Sequence, residues 1–130
     1  MKQQFLLVVC LGFLLSCSDS MTESSLIGVY QIKAKNGVYR DFIKIVKKDG
    51  FFFIKERSGA KWNSLGKAST AKKLELEKLI GEEIKIKFVG LSNKNLALYR
   101  MPKDWSMEKF KTSTGYWMAS MIGPIELYKK

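Results

Sequence analysis

The sequence predicts an all-β domain with one short helix, an antiparallel meander that closes as a small barrel or a sandwich. Three observations predict it. Asn36-Gly37 and Asp49-Gly50 punctuate apolar, β-branched runs, and both dipeptides tolerate the positive φ of tight hairpin turns. Further short runs bounded by Gly, Asn or Pro recur along the chain, about seven in all, the spacing of an all-β domain. Only Thr70 to Ile80 is rich in strong helix formers.

Leu26 to Lys35 reads as the first strand, with Ile27 and Val29 alternating with Tyr30, Ile32 and Ala34. Val38 to Lys48 follows Asn36-Gly37 as the second, and Phe51 to Glu56 follows Asp49-Gly50 as the third. Arg57 to Ser69 carries Gly, Ser and Asn and reads as a loop or broken strand, with Trp62 as a lid on the core. In Thr70 to Ile80 the alternation of Leu74 and Leu76 allows a strand. The helix formers, Thr70 as a cap and Gly81 as a stop favour a short helix. Glu82 to Val89 alternates cleanly, Ile84, Ile86 and Phe88 against Lys85 and Lys87, and reads as a strand. Gly90 to Asn95 is a turn, Leu96 to Met101 a strand, and Pro102 its end. Lys103 to Ser113 is a polar excursion carrying Trp105 and Phe110. Gly115 to Met121 and Ile125 to Lys129 form the last pair.

The N-terminus carries an address. Lys2 precedes an apolar run from Phe5 to Leu15, too short for the roughly 20 residues of a membrane span but suited to the h-region of a signal peptide. The run ends in Leu14-Leu15-Ser16-Cys17, which resembles a bacterial lipobox, although Leu15 is bulkier than the usual small residue there. The resemblance covers the leader alone. It implies diacylglycerol on the Cys17 thiol, cleavage before Cys17 and acylation of the new amine with a palmitate-type chain. Two or more acyl chains anchor stably. Ser18, in place of the Asp that signals inner-membrane retention in enteric-type lipoproteins, implies outer-membrane sorting within the cell envelope. The alternative is ordinary secretory cleavage near Ser16 and Ser18, releasing a soluble protein. The chain therefore divides into a signal peptide over 1–16, a lipidated Cys and flexible tether over 17–25, and a single β-rich domain over 26–130.

Composition limits the chemistry. There is no His, which removes the commonest general base and metal ligand. Cys10 leaves with the leader and Cys17 is acylated, so neither a disulfide nor a free thiol is expected. The chain carries a formal net charge of +11, and cleavage removes only Lys2 from that balance. Such a surface suits anionic partners, and it also solvates outer strand faces and discourages edge pairing. No nucleic-acid motif is present.

No catalytic set emerges, so the domain is read as a non-enzyme with no cofactor and no metal. Ser64-x-x-Lys67 matches the Ser-x-x-Lys of penicillin-binding enzymes, but Ser106-x-x-Lys109 repeats it by chance and the supporting Ser-Asp-Asn motif is missing. Asp41, Glu56, Asp104, Glu108 and Glu126 are scattered, and Glu75, Glu77, Glu82 and Glu83 are interleaved with lysines. Solvated ion pairs account for them. Tyr30, Tyr39, Trp62, Tyr99, Trp105, Tyr116, Trp117 and Tyr128 are expected mainly in core and rim packing.

Three functions compete. The first is a lipid-anchored envelope binding module for a protein or an anionic envelope component, held to the membrane through lipid on Cys17. The second is a carrier of a small apolar ligand: Gly28-x-Tyr30 is similar to the opening of lipocalin-like lipoproteins. The third is an immunity or lysozyme-inhibitor-type lipoprotein. Ser58-Gly59-Ala60-Lys61-Trp62 is similar to the Ser-Gly-x-x-Tyr loop of one inhibitor family, with Trp for Tyr and no disulfide. The sequence sets no oligomeric state.

Overall fold

A computed structural model describes residues 20–108 and 110–130. The leader, the lipobox and Cys17 lie outside the described residues. Asn36-Gly37 and Asp49-Gly50 turn the chain as expected, and join β1 (Gly28–Lys33), β2 (Tyr39–Lys48) and β3 (Phe51–Ser58) in an antiparallel meander. β4 (Lys61–Thr70), β5 (Val89–Ser92), β6 (Ala97–Arg100), β9 (Tyr116–Ser120), β10 (Gly123–Glu126) and β11 (Tyr128–Lys129) complete a nine-stranded sheet. Two excursions leave it. The helix α1 (Lys73–Ile80) sits between β4 and β5, and the hairpin β7 (Trp105–Met107) and β8 (Phe110–Thr112) between β6 and β9. Among the described residues no helix is long and apolar enough to cross a membrane.

The sheet nearly closes into a barrel. β10 pairs with β9, Glu126 opposite Trp117; β11 pairs with β1, Lys129 opposite Tyr30. Leu127 lies between them with no exposed surface, and its N–H reaches the Tyr116 carbonyl at 3.0 Å. β10 and β11 are thus one kinked strand, and the order runs round eight staves, with β9 four steps from β3 in either direction.

Strand alternation puts Tyr30, Ile43, Ile45, Ile54, Leu91 and Leu98 inside, each at most 1% exposed. Leu26 joins them from a 3-10 turn, Glu23–Leu26, and accepts the buried Tyr30 hydroxyl at 2.6 Å. The interior is filled by side chains, as suits a barrel of this size. A second core lies outside the barrel wall. Tyr99 of β6 and Trp117 of β9 point outward and, with Met101 just past β6, are covered by Leu76 and Ile84, with Trp105 and Phe110 packed alongside. Gly90 leaves room here, since a Cβ on it would lie 2.6 Å from the Tyr99 ring.

Six expectations about the backbone need correction, the first being Gly90–Asn95, read as a turn: Gly90, Leu91 and Ser92 belong to β5 and pair with β6. Of the two readings of Arg57–Ser69 the loop fails and the broken strand comes near: the stretch is the end of β3, a turn and the full strand Lys61–Thr70. Its small polar residues pair along the aromatic β3, and a bulge beside Ile54 breaks the alternation that would have marked it. Glu82–Phe88 is not a strand. Gly81, at φ +80°, stops α1 as read, and the Glu77 carboxylate takes the Ile84 N–H at 2.8 Å, so the segment packs on the helix rather than on a ladder. Lys103–Ser113 contains the β7–β8 hairpin, stabilised by apolar contact of Trp105 and Phe110 with Trp117. Thr70 does not cap the helix. It ends β4, its hydroxyl reaches Glu23 at 3.2 Å, and Lys72 is the N-cap without a side-chain bond. The tether is shorter than read, because Glu23–Leu26 already belong to the folded body.

Glu126 holds the closing strand. Its Oε2 accepts the Ser113 N–H at 2.6 Å, the Thr112 hydroxyl at 3.0 Å, the Ser113 hydroxyl at 3.1 Å and the Thr114 N–H at 3.2 Å. Its Oε1 accepts the Tyr128 hydroxyl at 3.0 Å. Burial raises this carboxyl's pKa, but bonds from the Thr114 backbone and the Thr112, Tyr128 and Ser113 side chains outweigh it and leave the value below the ordinary one. A depressed folded pKa contributes stability above the unfolded value and loses it as pH falls through the folded value. Glu126→Gln is expected to destabilise the domain by about 1–2 kcal/mol at neutral pH, with the gap to the parent closing on acidification. Urea melts across pH measure it. Gly115 has φ +88°, and a Cβ there would lie 2.3 Å from the Met101 carbonyl oxygen. Gly115→Ala is expected to cost more than about 1 kcal/mol in the same melts.

Candidate functional site

Opposite faces of β2, β3 and β4 follow from alternation. Ile43, Ile45 and Ile54 point in, so Lys44, Val46, Lys48, Phe51, Phe53, Lys55 and Arg57 point out. β4 adds Trp62, Ser64 and Lys67 through its register, Arg57 opposite Trp62, Lys55 opposite Ser64 and Phe53 opposite Lys67. The result is a cationic sheet face interleaved with aromatic rings.

Its electrostatics are unbalanced. Lys44 stands directly opposite Lys55. Like charges so placed destabilise an antiparallel pair. Among the described residues the ion pairs all use one acid, Asp41, which receives Arg57 at 3.4 Å and Lys130 at 3.4 Å. Gln31 also donates to Asp41 at 2.9 Å. That bond, with Lys130 and Arg57, holds the Asp41 carboxyl below its ordinary pKa against a smaller effect of burial. Lys44, Lys48, Lys55 and Lys67 make no ion pair among the described residues.

The rings hold some of these cations. Lys44 Nζ lies 4.9 Å from the centroid of the Trp62 ring and Arg57 Cζ 5.3 Å from it. Lys67 Nζ lies 3.8 Å from the Phe51 centroid. Each contact is worth about 0.5–1 kcal/mol at an exposed site. Trp62 is therefore not the core lid expected of it. It belongs to neither apolar cluster and stands on the outer face among cations. Such a face can bind phosphate or carboxylate groups and can stack against flat groups. It offers no general acid or base set.

The other candidates are placed as follows. Tyr30 is inside the barrel, and Tyr99, Trp105 and Trp117 are in the outer core. Tyr39 and Tyr128 meet edge to face at 5.0 Å. Tyr116 faces Arg100 and Lys129. Ser64 accepts the Gly66 N–H at 3.2 Å, while Lys67 rests on Phe51; Lys109, the end of the second such motif, lies outside the described residues. Ser58–Lys61 is the tight β3–β4 turn, with Gly59 at φ +61°. Among the described residues no three His, Cys, Asp or Glu side chains gather as metal ligands would. The face itself was hidden because β4 did not read as a strand; the signal within β2 and β3 was the alternation of Lys44, Lys48 and Lys55 with apolar residues. No protein-family model, curated protein or solved structure matches the chain.

Proposed function

We propose that this chain is an envelope lipoprotein, anchored through lipid on Cys17 to the outer membrane, and that it acts as a non-enzymatic binding module. Its cationic β2–β4 face engages an anionic envelope component bearing phosphate groups. The observation that carries this reading is the set of lysines left without acids, with Lys44 placed opposite Lys55 at a cost to the sheet. A polyanion relieves that repulsion. The anchor adds proximity. Ser18 to Thr22 reach at most about 17 Å when fully extended, which keeps the folded body near the lipid head groups. The filled interior weighs against the apolar carrier, since Tyr30, Ile45, Ile54, Leu91 and Leu98 have no exposed surface and so line no ligand-sized void.

Two measurements test this. Cells expressing the protein are expected to attach labelled palmitate to it, and Cys17→Ala is expected to abolish the label. Unlabelled parent protein, or a labelled Cys17→Ala, removes the anchor from the proposal. For the face, the chain from Ser18 onward is expected to sediment with phosphatidylglycerol vesicles and not with phosphatidylcholine vesicles, less so as salt rises. Reversing Lys44, Lys55 and Lys67 to Glu is expected to weaken that binding by about a hundredfold, at ~1 kcal/mol per lost cation. Equal binding by parent and variant would refute the assignment of the face.

A further inference from the structure

Across the barrel from the cationic face lies a cleft of about 490 Å³. Trp117 and Ala119 of β9 form its floor, and Leu79, Ile80, Met107 and Phe110 its walls. Ligand pockets span roughly 300–1,000 Å³. Three observations define what fits. Trp117 is 1% exposed, and its indole N–H has no acceptor among the described residues. Tyr99 at 4.9 Å and Trp105 at 5.9 Å stack on the ring and Phe110 tilts against it at 5.5 Å, so the floor is aromatic and apolar and takes an apolar side chain. Next, the apolar surface runs beyond the cleft. Leu79 is 54% exposed, and at the β9–β10 turn Met121 is 102% and Ile122 88% exposed. Met121 and Ile122 lie between Ser120 and Gly123, which line the cleft, so exposed apolar side chains flank it as they do a docking surface. Finally, among the described residues the charged side chains lining the cleft are two carboxylates, Glu82 and Glu108, in a chain of net charge +11.

We propose that this cleft docks an extended segment of another polypeptide. The segment buries a large apolar side chain over Ala119 and places a Lys or Arg beside Glu82 and Glu108. This goes beyond the anionic-surface reading and does not rest on it. β9 stands diametrically across from β3, so both surfaces can be occupied at once.

Peptide display against the full lipidated chain in detergent tests it. Selected peptides are expected to share a large apolar residue next to a basic one. Ala119→Phe, which fills the floor, is expected to weaken them by about tenfold or more, as is Glu82→Lys combined with Glu108→Lys. Leu79→Lys serves if Ala119→Phe does not melt cooperatively. Lys44→Glu combined with Lys55→Glu is expected to leave peptide binding unchanged while weakening vesicle binding, which separates the two proposals. Peptides rich in acids, peptides indifferent to the cleft variants, or occupancy by anilinonaphthalene sulfonate with no peptide enriched would each overturn it.

Discussion

Closure of the sheet depends on the chain changing partners at Leu127. Before it the strand pairs with β9, and after it with β1. Without that switch β1 and β9 would both be edges, open to pairing with other chains. A strand that serves two neighbours must kink, and a kink must be held. Glu126 does so by gathering the amide and hydroxyl groups of Thr112, Ser113 and Thr114 on one side and the Tyr128 hydroxyl on the other. Thr114 answers by donating its hydroxyl to the Leu127 carbonyl at 2.7 Å. The carboxylate that looked like one scattered acid among several is thus structural.

Eight staves can enclose either a packed core or one small ligand, and here the inward side chains take up the space. Large aliphatic residues on every second position fill the barrel, each worth about 1.5–3 kcal/mol when buried. Outside the barrel, two faces differ in kind. One is β2–β4, solvated by lysines. The other is the wall of β5, β6 and β9, apolar on its outer side and covered by α1 and the β7–β8 hairpin. That cover is incomplete, and the cleft beside Trp117 is the part it leaves open.

The parts of the fold that were legible are those decided locally. Asn36-Gly37 and Asp49-Gly50 fix their turns through backbone preference alone, and Gly81 stops α1 in the same way. The parts that were not legible are decided by distant partners. Lys61–Thr70 has little strand propensity of its own and becomes a strand because β3 offers a ladder on one side and β5 on the other. Ile84 and Ile86 alternate as a strand would, yet no neighbour is free to pair with them, and Ile84 turns under Leu76 instead. The cationic face shared this fate. Its lysines were visible as composition, but their confrontation across β2 and β3 needs the register of Lys44 on Lys55.

The strand order also places the ends. β1 begins, β9 begins and β11 finishes at the same end of the barrel, where the Glu23–Leu26 turn enters the core. Lys48 and Phe51 bound the turn at that end of the cationic face, and Lys129 lies close enough to donate to the Ser25 carbonyl at 2.7 Å. Burial, with the nearby Arg100 charge, lowers the Lys129 pKa, so cations crowd here. Met121 and Ile122 sit at the opposite end, on the β9–β10 turn. In the anchored arrangement proposed above, the short tether leaves from the basic end and the apolar turn points away from the bilayer. In that proposed arrangement a lipid-seeking role for Met121 and Ile122 would need the reverse orientation, so it is consistent with the proposed peptide docking at the turn and with the lysines facing the head groups.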